Sequence, residues 1–399
     1  MNLWAADRHE PLLPAAWDEA RARECIAQIV RDAESAFSPA RLWPTHPMDV
    51  KDPAPQHCLY FGATGVIWAL RYLASQGAAQ LANDYTEILP ALVAPNRAQM
   101  EADPAQPFGA YLMGDTPIRL MEFEAAPSAT TAAELARLIE GTQHHPSREM
   151  MWGSPGTLMA ALFLYRRTGD DTWARLFRET AAILWSELEP SPDGTCRLWS
   201  QDLYGSHTFY IDAVHGFVGT APPLIQGRDL LGAGEWEGWR EVIANTVRRS
   251  ARWEGPLASW HAFADAPPGD LKLMQYCHGA PGFVICLGDF PGSELDDVLA
   301  AGAEATWAAG PLRKGPNLCH GTGGNGYAFL KMFRRTGDAL WLERARAFAM
   351  HGIAQVDAAR TEYGQGRYSL WTGDVGFAIY LWDCIRAQDR FPTVDVFFG

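Results

Sequence analysis

Gly310 to Leu330 reads GPLRKGPNLCHGTGGNGYAFL, and this stretch orders the rest of the chain. Cys319 and His320 stand side by side, glycines follow at 321, 323, 324 and 326, and the run turns apolar at Tyr327-Ala328-Phe329-Leu330. A thiol and an imidazole at a glycine-rich helix entrance suit a soft divalent metal, but two ligands do not close a site. Residues 275–283, QYCHGAPGF, repeat the design with Cys277, His278, Gly279 and Gly282. Two Cys-His-Gly-x-x-Gly segments in one chain point to a zinc site assembled from a repeat.

The repeat runs through the whole chain. Gly-x-x-Gly, or a decayed form of it, precedes a mostly apolar run at Gly62–Gly65, Gly114–Pro117, Gly153–Gly156, Gly216–Gly219, Gly279–Gly282, Gly321–Gly324 and Gly373–Gly376. The second copy has proline where the others have the second glycine. Glycine at a helix start lets the backbone turn sharply, and a second one removes bulk where backbones crowd. The apolar runs that follow are hydrophobic nearly all round, as buried helices are.

Between them lie amphipathic segments that carry the charges: 17–34, 83–93, 128–139, 170–188, 234–253, 293–308 and 338–356. In the last, Leu340, Leu342, Ala345, Phe348 and Ala349 fall at helical spacing with Glu343, Arg344 and Arg346 between them. A charged helix alternating with a buried, glycine-started one predicts an all-α, double-layered α/α toroid of seven inner and seven outer helices. Residues 1–399 are expected to form it as a single domain. Longer connections at 191–213 and 255–276 hold Trp199, Tyr204, His207, Tyr210, Trp260 and His261. Such loops serve equally as a binding surface or as plugs in the toroid mouth.

At 48% apolar residues, with 16 tryptophans, the chain has ample material for a large core. A net charge of −14 without a Lys/Arg stripe argues against nucleic acid as a partner. Seven cysteines without a close-spaced framework read as reduced thiols. The first twenty residues lack the basic and apolar regions of a secretory signal, and no apolar run is long enough for a transmembrane segment. A cytoplasmic protein is expected.

Ring geometry brings Cys277 and the Cys319-His320 pair, at the entrances of consecutive repeats, to one point near the axis. Three protein ligands leave a fourth position open, as in catalytic zinc sites, where a thiol is held as thiolate. Cys25, Cys58, Cys196, Cys286 and Cys384 lack the motif and read as small core residues. His215 occupies the fourth entrance without a neighbouring cysteine, which suits a proton donor or acceptor better than a ligand. His278 is a second acid, a support for the metal or a structural residue. Glu149 falls at the third entrance, as a catalytic carboxylate or a solvated one.

These motifs resemble the lanthionine synthetase C-like proteins, and the stand-alone branch known from eukaryotes more than the bacterial cyclases. The likeness rests on Cys-His-Gly-Ala-Pro-Gly at 277–282, Leu-Cys-His-Gly at 318–321 running to Ala-Phe-Leu at 330, and Ala-x-His-Gly-x-x-Gly at 213–219. It implies a toroid with one Zn2+ per chain held by Cys277, Cys319 and His320, and catalytic roles for His215 and Glu149. It also implies glutathione or another thiol as one partner and a dehydroamino-acid-containing polypeptide as the other, joined through a thioether. Lys314 matches a glutathione-binding lysine of that branch, and Arg367 is the candidate for a second contact before the seventh repeat. The cyclases' arginine four residues before the first zinc cysteine is Leu273 here, which counts against ring formation. The alternatives are a lanthipeptide cyclase and a non-catalytic zinc- and glutathione-binding scaffold.

Overall fold

The computed structural model describes residues 2–49, 54–101, 106–266, 269 and 271–399. They contain fourteen α-helices in outer–inner pairs. These are α1 (Glu19–Ala36) and α2 (Ala63–Ser75), α3 (Leu89–Met100) and α4 (Thr116–Ala125), and α5 (Ala129–Thr142) and α6 (Ser154–Thr168). There follow α7 (Asp171–Ser186) and α8 (Ala221–Gln226), α9 (Ala233–Ser250) and α10 (Ala280–Leu287), α11 (Asp296–Ala309) and α12 (Thr322–Thr336), and α13 (Ala339–Tyr363) and α14 (Asp374–Arg386). The first helix packs against the last, which closes the double ring.

The two layers are built by different chemistry. Four of the seven outer helices start on side-chain caps: Asp18, Ser128, Asp170 and Asp338 each accept a backbone N–H of the first turn, worth about 1 kcal/mol apiece. Inner helices start on glycines, whose lack of a side chain is a packing requirement. A Cβ on the second glycine of the motif would lie 2.1 Å from the Leu59 carbonyl oxygen at Gly65, 2.0 Å from that of Tyr276 at Gly282 and 1.8 Å from that of Leu318 at Gly324. The same carbonyl, six residues back, blocks Gly156, Gly219 and Gly376. All eight residues of α10 are buried, as are residues 154–164 of α6, whereas α7 buries one stripe through Trp173, Leu176, Phe177 and Leu184.

This crowding lays the segments before the glycines edge to edge around the axis. Tyr60 N donates to Leu112 O, Leu112 N to Met151 O, Met150 N to Val214 O, Cys277 N to Cys319 O, Cys319 N to Trp371 O and Trp371 N to Tyr60 O, at 2.8–3.3 Å. Between the fourth and fifth segments the approach is steric, since a Cβ on Gly282 would lie 2.6 Å from the Ala213 side chain. The result is a belt of turn segments under the N-termini of the inner helices, where the helix dipoles favour negative charge.

Departures from the expected boundaries have local causes. The second outer helix begins at Leu89 rather than 83, because Asp84 accepts from Thr86 N and a 3-10 turn at 86–88 precedes Pro90. The fourth inner helix enters through a 3-10 turn at 217–220 and is only six residues long. Three short antiparallel hairpins lie in the two long connections or open them: β1 (Glu189–Pro190) with β2 (Arg197–Leu198), β3 (Gln201–Leu203) with β4 (Ser206–Thr208), and β5 (Arg252–Glu254), at the end of the segment expected as an outer helix, with β6 (Leu257–Ser259). Residues 267, 268 and 270 of the second connection lie outside the described residues. These connections both plug and present: Trp199 and Trp260 are fully buried, while Tyr204, at the tip of the β3–β4 hairpin, is 65% exposed.

Candidate metal centre and its proton-handling neighbours

The belt sets a register. Two residues before the first glycine stand Tyr60, Leu112, Met151, Val214, Cys277, Cys319 and Trp371; one residue before it stand Phe61, Met113, Trp152, His215, His278, His320 and Thr372. Neighbouring repeats therefore bring Cys277, Cys319 and His320 together, with ligand atoms all within 4.8 Å of one another. Both cysteines are buried, and burial together with Cys319 pushes the Cys277 thiol well above its usual range. Two buried sulfurs and an imidazole converging this closely are a donor set for a soft or borderline divalent metal, which would supply the positive charge that two thiolates need.

The position four residues before the glycine explains how the entrances hold their shape. Glu149 occupies it in the third repeat, fully buried: Oε2 accepts from Met151 N at 2.9 Å and Oε1 from Trp152 N at 2.5 Å. Asp212 occupies it in the fourth, with Oδ1 accepting from Val214 N at 3.1 Å and His215 N at 2.8 Å. Asn317 does the same for His320 N at 2.9 Å. Each side chain pins its own loop and so fixes where the following residues stand.

The two acids also reach into the next repeat. His215 Nδ1 lies 3.0 Å from Glu149 Oε2, and His278 Nδ1 lies 2.7 Å from Asp212 Oδ2. Two histidine–carboxylate dyads thus stand side by side, ring centroids 6.2 Å apart, beside the Cys277–Cys319–His320 cluster. In each, Nδ1 is committed to the carboxylate, and Nε2 is left to exchange protons. Burial works against charge on His278, but Asp212 and Cys277 outweigh it and raise its pKa to about 9. His215 is flanked by Tyr204 and Tyr210, at 5.6 and 5.8 Å between centroids, so the β3–β4 hairpin leans over it.

Of the residues expected from sequence, Cys277, Cys319, His320, His215, His278 and Glu149 gather here. Lys314 is exposed on the loop leading to Cys319, without an ion pair among the described residues, and its charge is felt at His278. Arg367 is differently placed: its guanidinium grips Asp49 through Nε at 2.9 Å and through Nη2, both side chains being 9% exposed. Three residues were missed: Asp212, Tyr60 and Gln275. Tyr60 Oη donates to Cys319 Sγ and Gln275 Nε2 to Cys277 Sγ, each at 2.9 Å. Their signal was the register itself, since Tyr60 shares the position of Cys277 and Cys319, and Asp212 and Gln275 share that of Glu149.

The chain belongs to the lanthionine synthetase C-like family, whose model matches residues 12–396. It is 30% identical to LanC-like protein GCL1 of Arabidopsis thaliana over 270 residues, 63% of this chain and 58% of that one. It is 29% identical to Glutathione S-transferase LANCL1 of Danio rerio over 208 residues, 47% of this chain and 46% of that one. The matched region thus spans about half the length of these relatives. Among solved structures, nisin cyclase superposes with a TM-score of 0.59 at 15% identity, covering 82% of this chain and 88% of that one, which shows a shared toroid fold.

Proposed function

We propose that this protein is a zinc-dependent thioether-forming enzyme of the cytoplasm, adding glutathione or a related thiol to dehydroalanine or dehydrobutyrine in polypeptides. The observation that carries this reading is the convergence of Cys277, Cys319 and His320 within 4.8 Å, beside two histidine–carboxylate dyads. One zinc ion per chain, held by these three residues, would act as a Lewis acid that keeps an incoming thiol deprotonated at neutral pH.

The protein's own residues handle the protons. Addition forms the S–Cβ bond and opens the Cα=Cβ bond into an enolate, so one proton leaves sulfur and one reaches Cα. His215, oriented by Glu149, takes up the first at Nε2 and returns it to Cα. His278, charged through Asp212, faces the developing enolate as a fixed positive group and is the second candidate for the donor. The inner-helix N-termini around the belt favour the same negative charge. Lys314 on the rim takes a carboxylate of the thiol as a point charge, and Arg367 serves a second anionic group once it lets go of Asp49.

The test is mass spectrometry of a dehydroalanine peptide incubated with the protein and glutathione. A mass increase of one glutathione, dependent on the protein, supports the reading. A peptide left unmodified while zinc and glutathione both bind identifies a scaffold instead, and a ring closed by the peptide's own cysteine identifies a cyclase.

A further inference from the structure

Each sulfur of the proposed metal centre receives one hydrogen bond from a neutral side chain: Tyr60 Oη on Cys319 Sγ and Gln275 Nε2 on Cys277 Sγ, both 2.9 Å. The two donors come from different parts of the ring. Tyr60 precedes the first inner helix and reaches Cys319 across the belt segment of Trp371, on whose ring it stacks at 5.9 Å. Gln275 stands two residues before its target, and its other amide atom accepts from Arg8 of the N-terminal arm at 3.4 Å.

Two buried thiolates and a neutral imidazole cancel the charge of a divalent cation, and a further thiolate at the open position leaves the cluster with a net negative charge. A full positive charge beside a sulfur would stabilise it but compete with the metal for its electrons. A neutral donor withdraws a little density from the sulfur and leaves the metal more electrophilic, and partners of this kind commonly matter ten-fold or more to affinity.

We propose that Tyr60 and Gln275 are positioning residues that set the electron donation of Cys319 and Cys277 to the metal, so that the metal stays acidic enough to accept and deprotonate a third thiol. This rests on the zinc reading above. Tyr60→Phe keeps the ring and its stacking on Trp371 and removes only the hydroxyl; Gln275→Leu removes the second donor independently.

The test is the absorption spectrum of the cobalt(II)-substituted protein, with zinc retention measured against a chelator. A thiolate that has lost a hydrogen bond holds its electrons at higher energy. The sulfur-to-cobalt band is therefore expected at longer wavelength in each variant, further still in the double variant, with the metal still held against the chelator. Wild-type protein that binds cobalt, with variants whose band position matches it, overturns the inference while leaving the metal site standing. Wild-type protein that takes up neither cobalt nor zinc overturns both.

Discussion

Replacing Glu149 by glutamine separates the two tasks this carboxylate performs. Oε2 accepts from both Met151 N and His215 Nδ1, and Oε1 accepts from Trp152 N. An amide has one oxygen. With the oxygen toward Trp152 N, the Met151 N–H faces an NH2 group; with the oxygen on the other side, Trp152 N does. Either way a buried donor loses its acceptor, at a cost of about 1–3 kcal/mol in stability. The charge on His215 also loses its partner. A hydrogen bond to a charged group contributes about 1.5–3 kcal/mol, so addition to dehydroalanine should slow roughly ten- to hundred-fold if that bond is made in the transition state. Asp212→Asn is the control, because there the oxygen remains with Val214 N and His215 N and the NH2 faces only His278. Urea denaturation and single-turnover addition rates, with zinc content measured on the same samples, give the comparison. Glu149→Gln as stable and as fast as the wild type would refute the dyad and the loop-pinning role together.

Other parts of the ring make separate predictions. Asp383 is fully buried, and burial, opposed by the Tyr327 hydrogen bond and reinforced by Asp389, lifts its carboxyl to about 7. The folded state then holds a proton that the unfolded chain has released, so wild-type stability falls as pH rises from the ordinary carboxylate range to about 7. Asp383→Asn removes this slope and should gain on the order of 4 kcal/mol relative to the wild type between pH 4 and pH 8, read from denaturation midpoints. Gly324→Ala forces a Cβ onto the Leu318 carbonyl and should abolish soluble, folded protein. Gly337→Ala, at a left-handed cap with open space around it, should cost only about 1 kcal/mol. Lys314→Ala should weaken glutathione binding about ten-fold by calorimetry and leave zinc content unchanged; unchanged affinity would show that Lys314 makes no contact with the thiol.

The architecture was legible because crowding at the inner-helix entrances admits glycine and little else, and that constraint is written at a readable spacing seven times, six of them with both glycines. The gathering of Cys277, Cys319 and His320 was legible for a related reason: they sit at equivalent positions of consecutive copies, and a ring makes equivalent positions neighbours. The same register held Tyr60, Asp212 and Gln275. Read as isolated side chains, however, a tyrosine, an aspartate and a glutamine do not announce hydrogen bonds to a thiol or an imidazole in the neighbouring repeat. The hairpins in the long connections escaped notice because strands of two or three residues carry no periodicity. The pairing of Arg367 with Asp49 joins residues at opposite ends of the chain, and no local pattern encodes it.

The central claim is that Cys277, Cys319 and His320 hold a metal, and the most direct test is the zinc content of protein purified without added metal, set beside that of the Cys277→Ala, Cys319→Ala double variant. The account predicts one zinc per wild-type chain and none in the double variant, because a single imidazole cannot hold the ion. Zinc absent from the wild type, or retained by the double variant, would contradict it.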